Sequence, residues 1–94
     1  MGLGKHYVTP HTLSRVKERW PGASSLGERA LVEQIAMAIE AAEQAHTAVH
    51  APGGLHVPFS LGGKEGYLLI KDGRVVTALS AEHCTEVRAI AEGK

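Results

Sequence analysis

Ninety-four residues leave room for one domain, read here as 1–94, with a modest core. Ten basic and ten acidic residues cancel to zero net charge, which excludes the strongly basic surface of a general nucleic-acid binder. The single cysteine, Cys84, excludes an internal disulfide, and no apolar run is long enough to span a bilayer. Met1 to His6 lacks the apolar centre of a signal peptide, so the expectation is a soluble, cytoplasmic protein. Tyr7, Trp20, Phe59 and Tyr67 are the whole aromatic set. The core must therefore be built mainly of Leu, Val, Ile and Ala.

The first helix has a defined start. Thr9 can cap through its hydroxyl, and Pro10 at the first helical position has no N–H to leave unpaired. The spacing predicts a helix to Arg19 or Trp20, stopped by Pro21-Gly22, with Leu13, Val16 and Trp20 as its buried stripe. His11, Arg15 and Arg19 recur every fourth residue on another face, with Glu18 three residues from Arg15. This first segment is basic and the next is acidic.

Ser25-Leu26-Gly27-Glu28 fits a capping box for a second helix running to Ala45 or His46. Leu31, Ile35, Ala38, Ile39 and Ala42 form its apolar face, and Arg29, Glu33, Glu40, Glu43 and Gln44 lie roughly opposite. Met37 falls near the polar side. Core packing is the default for it, and exposure would mark a contact surface.

Ala51-Pro52-Gly53-Gly54 turns the chain. Leu55 to Leu61 then alternates with the period of a half-buried strand, and Pro58, which cannot donate to a ladder, predicts that this strand lies at an edge or is irregular. Gly62 to Gly66 reads as a turn. Tyr67 to Leu79 follows as two apolar runs joined by Asp72-Gly73, a type I′ hairpin signal, because both central positions need positive φ. Ser80 can cap a short last helix from Ala81 to Ala91, with Val87 and Ile90 inward. The expected class is α+β: two N-terminal helices, a small antiparallel sheet of about three strands and a short C-terminal helix.

Chemistry-bearing clusters are few. His46, His50, His56, His83 and Cys84 carry zinc-compatible donors, but no Cys-x-x-Cys or His-Glu-x-x-His spacing joins them, so neither a metal nor a cofactor is expected. His83 and Cys84, adjacent on a helix, would point about 100° apart, and Cys84 reads as a packing residue. Metal-independent RNA cleavage would need a proton-transfer group and cations for the phosphorane charge. His11 with Arg15 and Arg19 offers both kinds on one helix face.

The segments His11-Thr12-Leu13-Ser14-Arg15-Val16-Lys17-Glu18-Arg19 and Leu69-Ile70-Lys71-Asp72-Gly73-Arg74-Val75-Val76-Thr77 resemble the two ends of small RelE- and BrnT-like toxin-fold proteins. The resemblance implies N-terminal helices with an antiparallel sheet and, for many members, RNA cleavage without metal. Similar short phage chains act by binding a host protein. The positions matching a ribonuclease site are His11, Arg15 and Arg19, with Thr77 on the last strand. This chain is neutral where such toxins are basic, and its middle helix is acidic and alanine-rich. The resulting expectation is a small phage or mobile-element interaction module that binds a bacterial host protein through the surface around Trp20 and Met37. RNA is the alternative partner, and a homodimer through an apolar helix stripe is compatible with the pattern.

Overall fold

The computed structural model describes residues 2–3 and 6–92. Its elements in chain order are β1 (Gly2–Leu3), β2 (His6–Val8), α1 (Pro10–Arg19), α2 (Glu28–Ala45), β3 (Val49–Ala51), β4 (Gly54–Leu61), β5 (Lys64–Lys71), β6 (Arg74–Ser80) and α3 (Thr85–Glu92). Short 3-10 turns cover Pro21–Ser25 and Ala81–His83. The sheet runs β1-β2-β6-β5-β4-β3 and is mixed, because β2 lies parallel to β6 while β6, β5, β4 and β3 form an antiparallel meander.

The α+β class stands, but the order of two helices followed by about three antiparallel strands is corrected. Strands precede the helices: Tyr7 sits opposite Arg74 and Val8 opposite Val75. A parallel pair so far apart in sequence has no local turn to announce it. The meander is also longer than expected. Gly62 and Gly63, at φ +60° and +82°, close a two-residue hairpin, so β5 begins at Lys64 and not at Tyr67. Pro52-Gly53 closes another, which creates β3 from residues too few to show alternation.

Asp72 and Gly73 take φ +51° and +75°, as a type I′ turn requires. Thr9 caps α1 by accepting the Thr12 N–H through its hydroxyl, with Pro10 in the first turn. The capping box at Ser25 is corrected: its hydroxyl donates back to the Gly22 carbonyl inside the 3-10 turn, and α2 starts at Glu28 without a side-chain cap. Ser80 likewise does not cap a helix. Its hydroxyl meets His83 Nδ1 at 2.9 Å, and α3 begins only at Thr85.

Helices cover both faces of the sheet. On one face, Leu13, Val16 and Trp20 of α1 and its end, and Leu31, Val32, Ile35, Ile39 and Ala42 of α2, close over Val57, Phe59, Leu68, Ile70, Val75 and Ala78. On the other, α3 brings Cys84 and Val87 onto Val49, beside Tyr67 and Leu79. The layers are thus helix, sheet, helix.

Trp20 organises the larger core. It is fully buried, meets Phe59 edge-on at 5.3 Å between ring centres, and donates its indole N–H to the Lys64 carbonyl at 3.0 Å. The benzo edge of its indole closes on β5 because residue 66 is glycine: a Cβ there would stand 2.5 Å from the indole and 2.3 Å from the Leu79 carbonyl oxygen. Gly66 is therefore required by close approach, not by its backbone angles.

Candidate functional site

The chemistry-bearing residues gather at the two margins of the sheet, and the sheet's pairing explains why. β2 ends at Val8, opposite Val75, so the rest of β6 has no strand neighbour on that side among the described residues. Helix α1 takes the place of the missing strand. The Val75 carbonyl accepts the Thr9 N–H at 3.2 Å and lies 3.0 and 2.6 Å from the hydroxyls of Thr9 and Thr12. Three residues on, the Ala78 carbonyl accepts from the Arg19 guanidinium. This margin is closed by side chains.

That closure disperses the expected catalytic cluster. Arg19 is directed at the main chain of β6, beside Cys84, where burial pushes the thiol above its ordinary 9.0 and the Arg19 charge pulls it back down. Arg15 donates to Glu18 at 2.8 Å, and its Nε reaches His11 Nε2 at a long 3.4 Å. Thr77 sits half-buried on β6, opposite Leu69 of β5, on the sheet face that looks away from α1. His11 and Arg15 share an exposed ridge, Arg19 serves the edge, and Thr77 belongs to the other face.

The two expected contact residues also separate. Trp20 is enclosed in the core, so a partner could touch only the surface above it. Met37 is 62% exposed, corrected from the core position that its type favours. Among the described residues no three potential metal ligands converge. His56 is buried beside Tyr67, its Nδ1 3.1 Å from the Gly54 carbonyl and its ring edge-on to the Tyr67 ring.

The second margin differs in kind. A two-residue hairpin makes the residues flanking its turn a hydrogen-bonded pair, here Leu61 and Lys64. Counting back along β4, Phe59 and Val57 then face β5, whereas Ser60, Pro58 and His56 turn their main-chain groups outward. His56 meets Val49 of β3. Beyond it, no strand among the described residues faces Pro58 and Ser60.

Both sides of this open stretch are hollow. Toward α2, a groove of about 390 Å³ is lined by Met37, Ala38, Ala41, Ala45, Pro58 and Ser60. On the opposite face, a hollow of about 310 Å³ is lined by the same Pro58 and Ser60 with Glu65, Tyr67, Ala81 and Arg88. Sequence reasoning marked Pro58 as an edge residue and Met37 as ambiguous. It could not join them, because their meeting depends on how α2 crosses β4. Comparison with known proteins yields no match: no family model fits the chain, and no curated protein or solved structure is similar to it.

Proposed function

We propose that the protein is a non-catalytic interaction module that binds another protein, of the kind expected for a small phage or mobile-element chain acting on a bacterial host protein. The observation that carries the reading is Met37. A large apolar side chain stands exposed over a groove floored by alanines, beside an unpaired length of strand. A flexible thioether over small residues suits an adaptable contact surface. The ribonuclease alternative has less to draw on in this geometry: Arg19 is directed at the Ala78 carbonyl and Arg15 at Glu18, so the two guanidiniums do not converge with His11 on one point.

Two parallel measurements test the reading. Incubation with total bacterial RNA in EDTA should leave the RNA intact for the native protein and for His11→Ala alike. Cleavage by the native protein that His11→Ala abolishes would replace the proposal with a nuclease. Affinity capture from a bacterial lysate should retain a stoichiometric protein that Met37→Glu loses, with circular dichroism showing both proteins folded.

A further inference from the structure

We propose that the turn end of the β5–β6 hairpin, together with Tyr7 of β2, binds a phosphate monoester carried on a flat ring: Lys71 and Arg74 take the phosphate and Tyr7 takes the ring. The site lies on the sheet face opposite α2 and does not rest on the protein-binding reading.

Strand pairing places the three side chains in one row. Lys71 is opposite Arg74 across the Asp72-Gly73 turn, and Arg74 is opposite Tyr7 in the parallel pair. Alternation fixes the face. Ile70, Val75 and Val8 belong to the larger core, so their neighbours Lys71, Arg74 and Tyr7 turn to the other side of the sheet. There α3 packs farther along, on Val49, Tyr67 and Leu79. The row ends at Gly2, opposite Tyr7, which has no side chain to cover the ring.

The molecule leaves these groups without partners. Like charges directly opposite on a strand pair repel, and this pair flanks its own turn at a Cα separation of about 5.5 Å. Both residues are exposed, and among the described residues neither side chain has an ion-pair or hydrogen-bond partner. Asp72, in the turn between them, bridges to neither. Glu65, the carboxylate that β5 carries on this face, lies six residues from Lys71, about 20 Å along the strand. Tyr7 is 43% exposed, and among the described residues no ring or cation stacks on it.

Charge and shape together select the ligand. A carboxylate brings one negative charge to two adjacent cations, whereas a phosphate monoester brings close to two at neutral pH and three acceptor oxygens. The Arg74 guanidinium fork can hold two of those oxygens and the Lys71 ammonium the third. β2 lies one strand spacing from β6, about 5 Å, so a ring joined to that phosphate reaches Tyr7 and packs against it offset or edge-on. Binding relieves the repulsion between Lys71 and Arg74.

The test is amide NMR of the isotope-labelled full chain with phenyl phosphate as probe, at about pH 7.5, above the second ionisation of phosphate. Saturable shifts are expected at Tyr7, Lys71, Gly73 and Arg74, weakening with added salt. Phenyl sulfate, of similar shape with one charge, should bind about tenfold more weakly, as should inorganic phosphate, which has no ring. Arg74→Gln should weaken binding by about tenfold, and Lys17→Gln on α1 should leave it unchanged. Tyr7→Ser should weaken phenyl phosphate but not inorganic phosphate. Lys71→Glu turns the repelling pair into an attracting one, so binding should vanish while the melting temperature holds or rises. Tighter binding of adenosine monophosphate, or of the peptide Gly-phosphotyrosine-Gly, identifies a free nucleotide or a modified side chain as the source of the group. Absence of saturable shifts, shifts confined to other residues, equal binding of phenyl sulfate, retention of binding in Lys71→Glu, or failure of both phosphate sources to displace the probe would overturn the site.

Discussion

The two margins of the sheet meet the same physical problem in opposite ways. A strand edge presents main-chain donors and acceptors that must be paired, covered or left to water. Along β6, α1 covers them: Thr9 and Thr12 converge on the Val75 carbonyl and Arg19 on that of Ala78. Along β4, nothing described covers them, and a proline stands where a donor would be. The contrast shows that polar side chains can be occupied by architecture at one margin of a small sheet while main-chain groups stay open at the other.

Four substitutions sharpen this contrast, from the largest expected effect to the smallest. Gly66→Ala should cost about 3 kcal/mol, because the new methyl collides with the Trp20 ring that ties the end of α1 to β5. Thermal unfolding should show the loss. Thr12→Val keeps the shape but removes a buried donor 2.6 Å from the Val75 carbonyl; about 1–2 kcal/mol is expected, measured by urea denaturation.

Arg19→Ala should cost about 1 kcal/mol, since its site is half-buried and the carbonyl regains some water. It has a second readout. With the Arg19 charge gone, the Cys84 thiol rises further above its ordinary value, and alkylation of the folded protein at alkaline pH should slow. The sign for stability follows from the same shift. The folded thiol holds its proton more tightly than the unfolded one, so the contribution is full below 9.0 and is lost as pH rises from there through the higher folded value. At the open edge, Pro58→Val should change stability by no more than about 0.5 kcal/mol. It restores an outward donor, however, and self-association on sizing columns should increase.

What the sequence made legible was local. Thr9-Pro10 and Asp72-Gly73 announce a cap and a turn because the side chains themselves select the backbone angles. The misses share a different cause. β2 is defined by a partner near residue 75, and Ser25 spends its hydroxyl on Gly22 where a capping pattern assigns it to a helix. The site follows the same division. His11, Arg15 and Arg19 do line one side of α1, but helical spacing carries no information about Ala78, which draws Arg19 away. Met37 was ambiguous on the helix wheel and is settled as exposed only by the crossing of α2 over the sheet.

The parallel pairing of β2 with β6 also sets how far apart in sequence the sheet's partners lie. The meander can assemble through three neighbouring hairpins, each closing a short loop. In contrast, β2 and the threonines of α1 find their partners at Arg74 and Val75, on the last strand. Docking the threonines of α1 on Val75 closes loops of 66 and 63 residues, against the two-residue turns of the meander, so contacts at this margin carry the larger loop-closure cost.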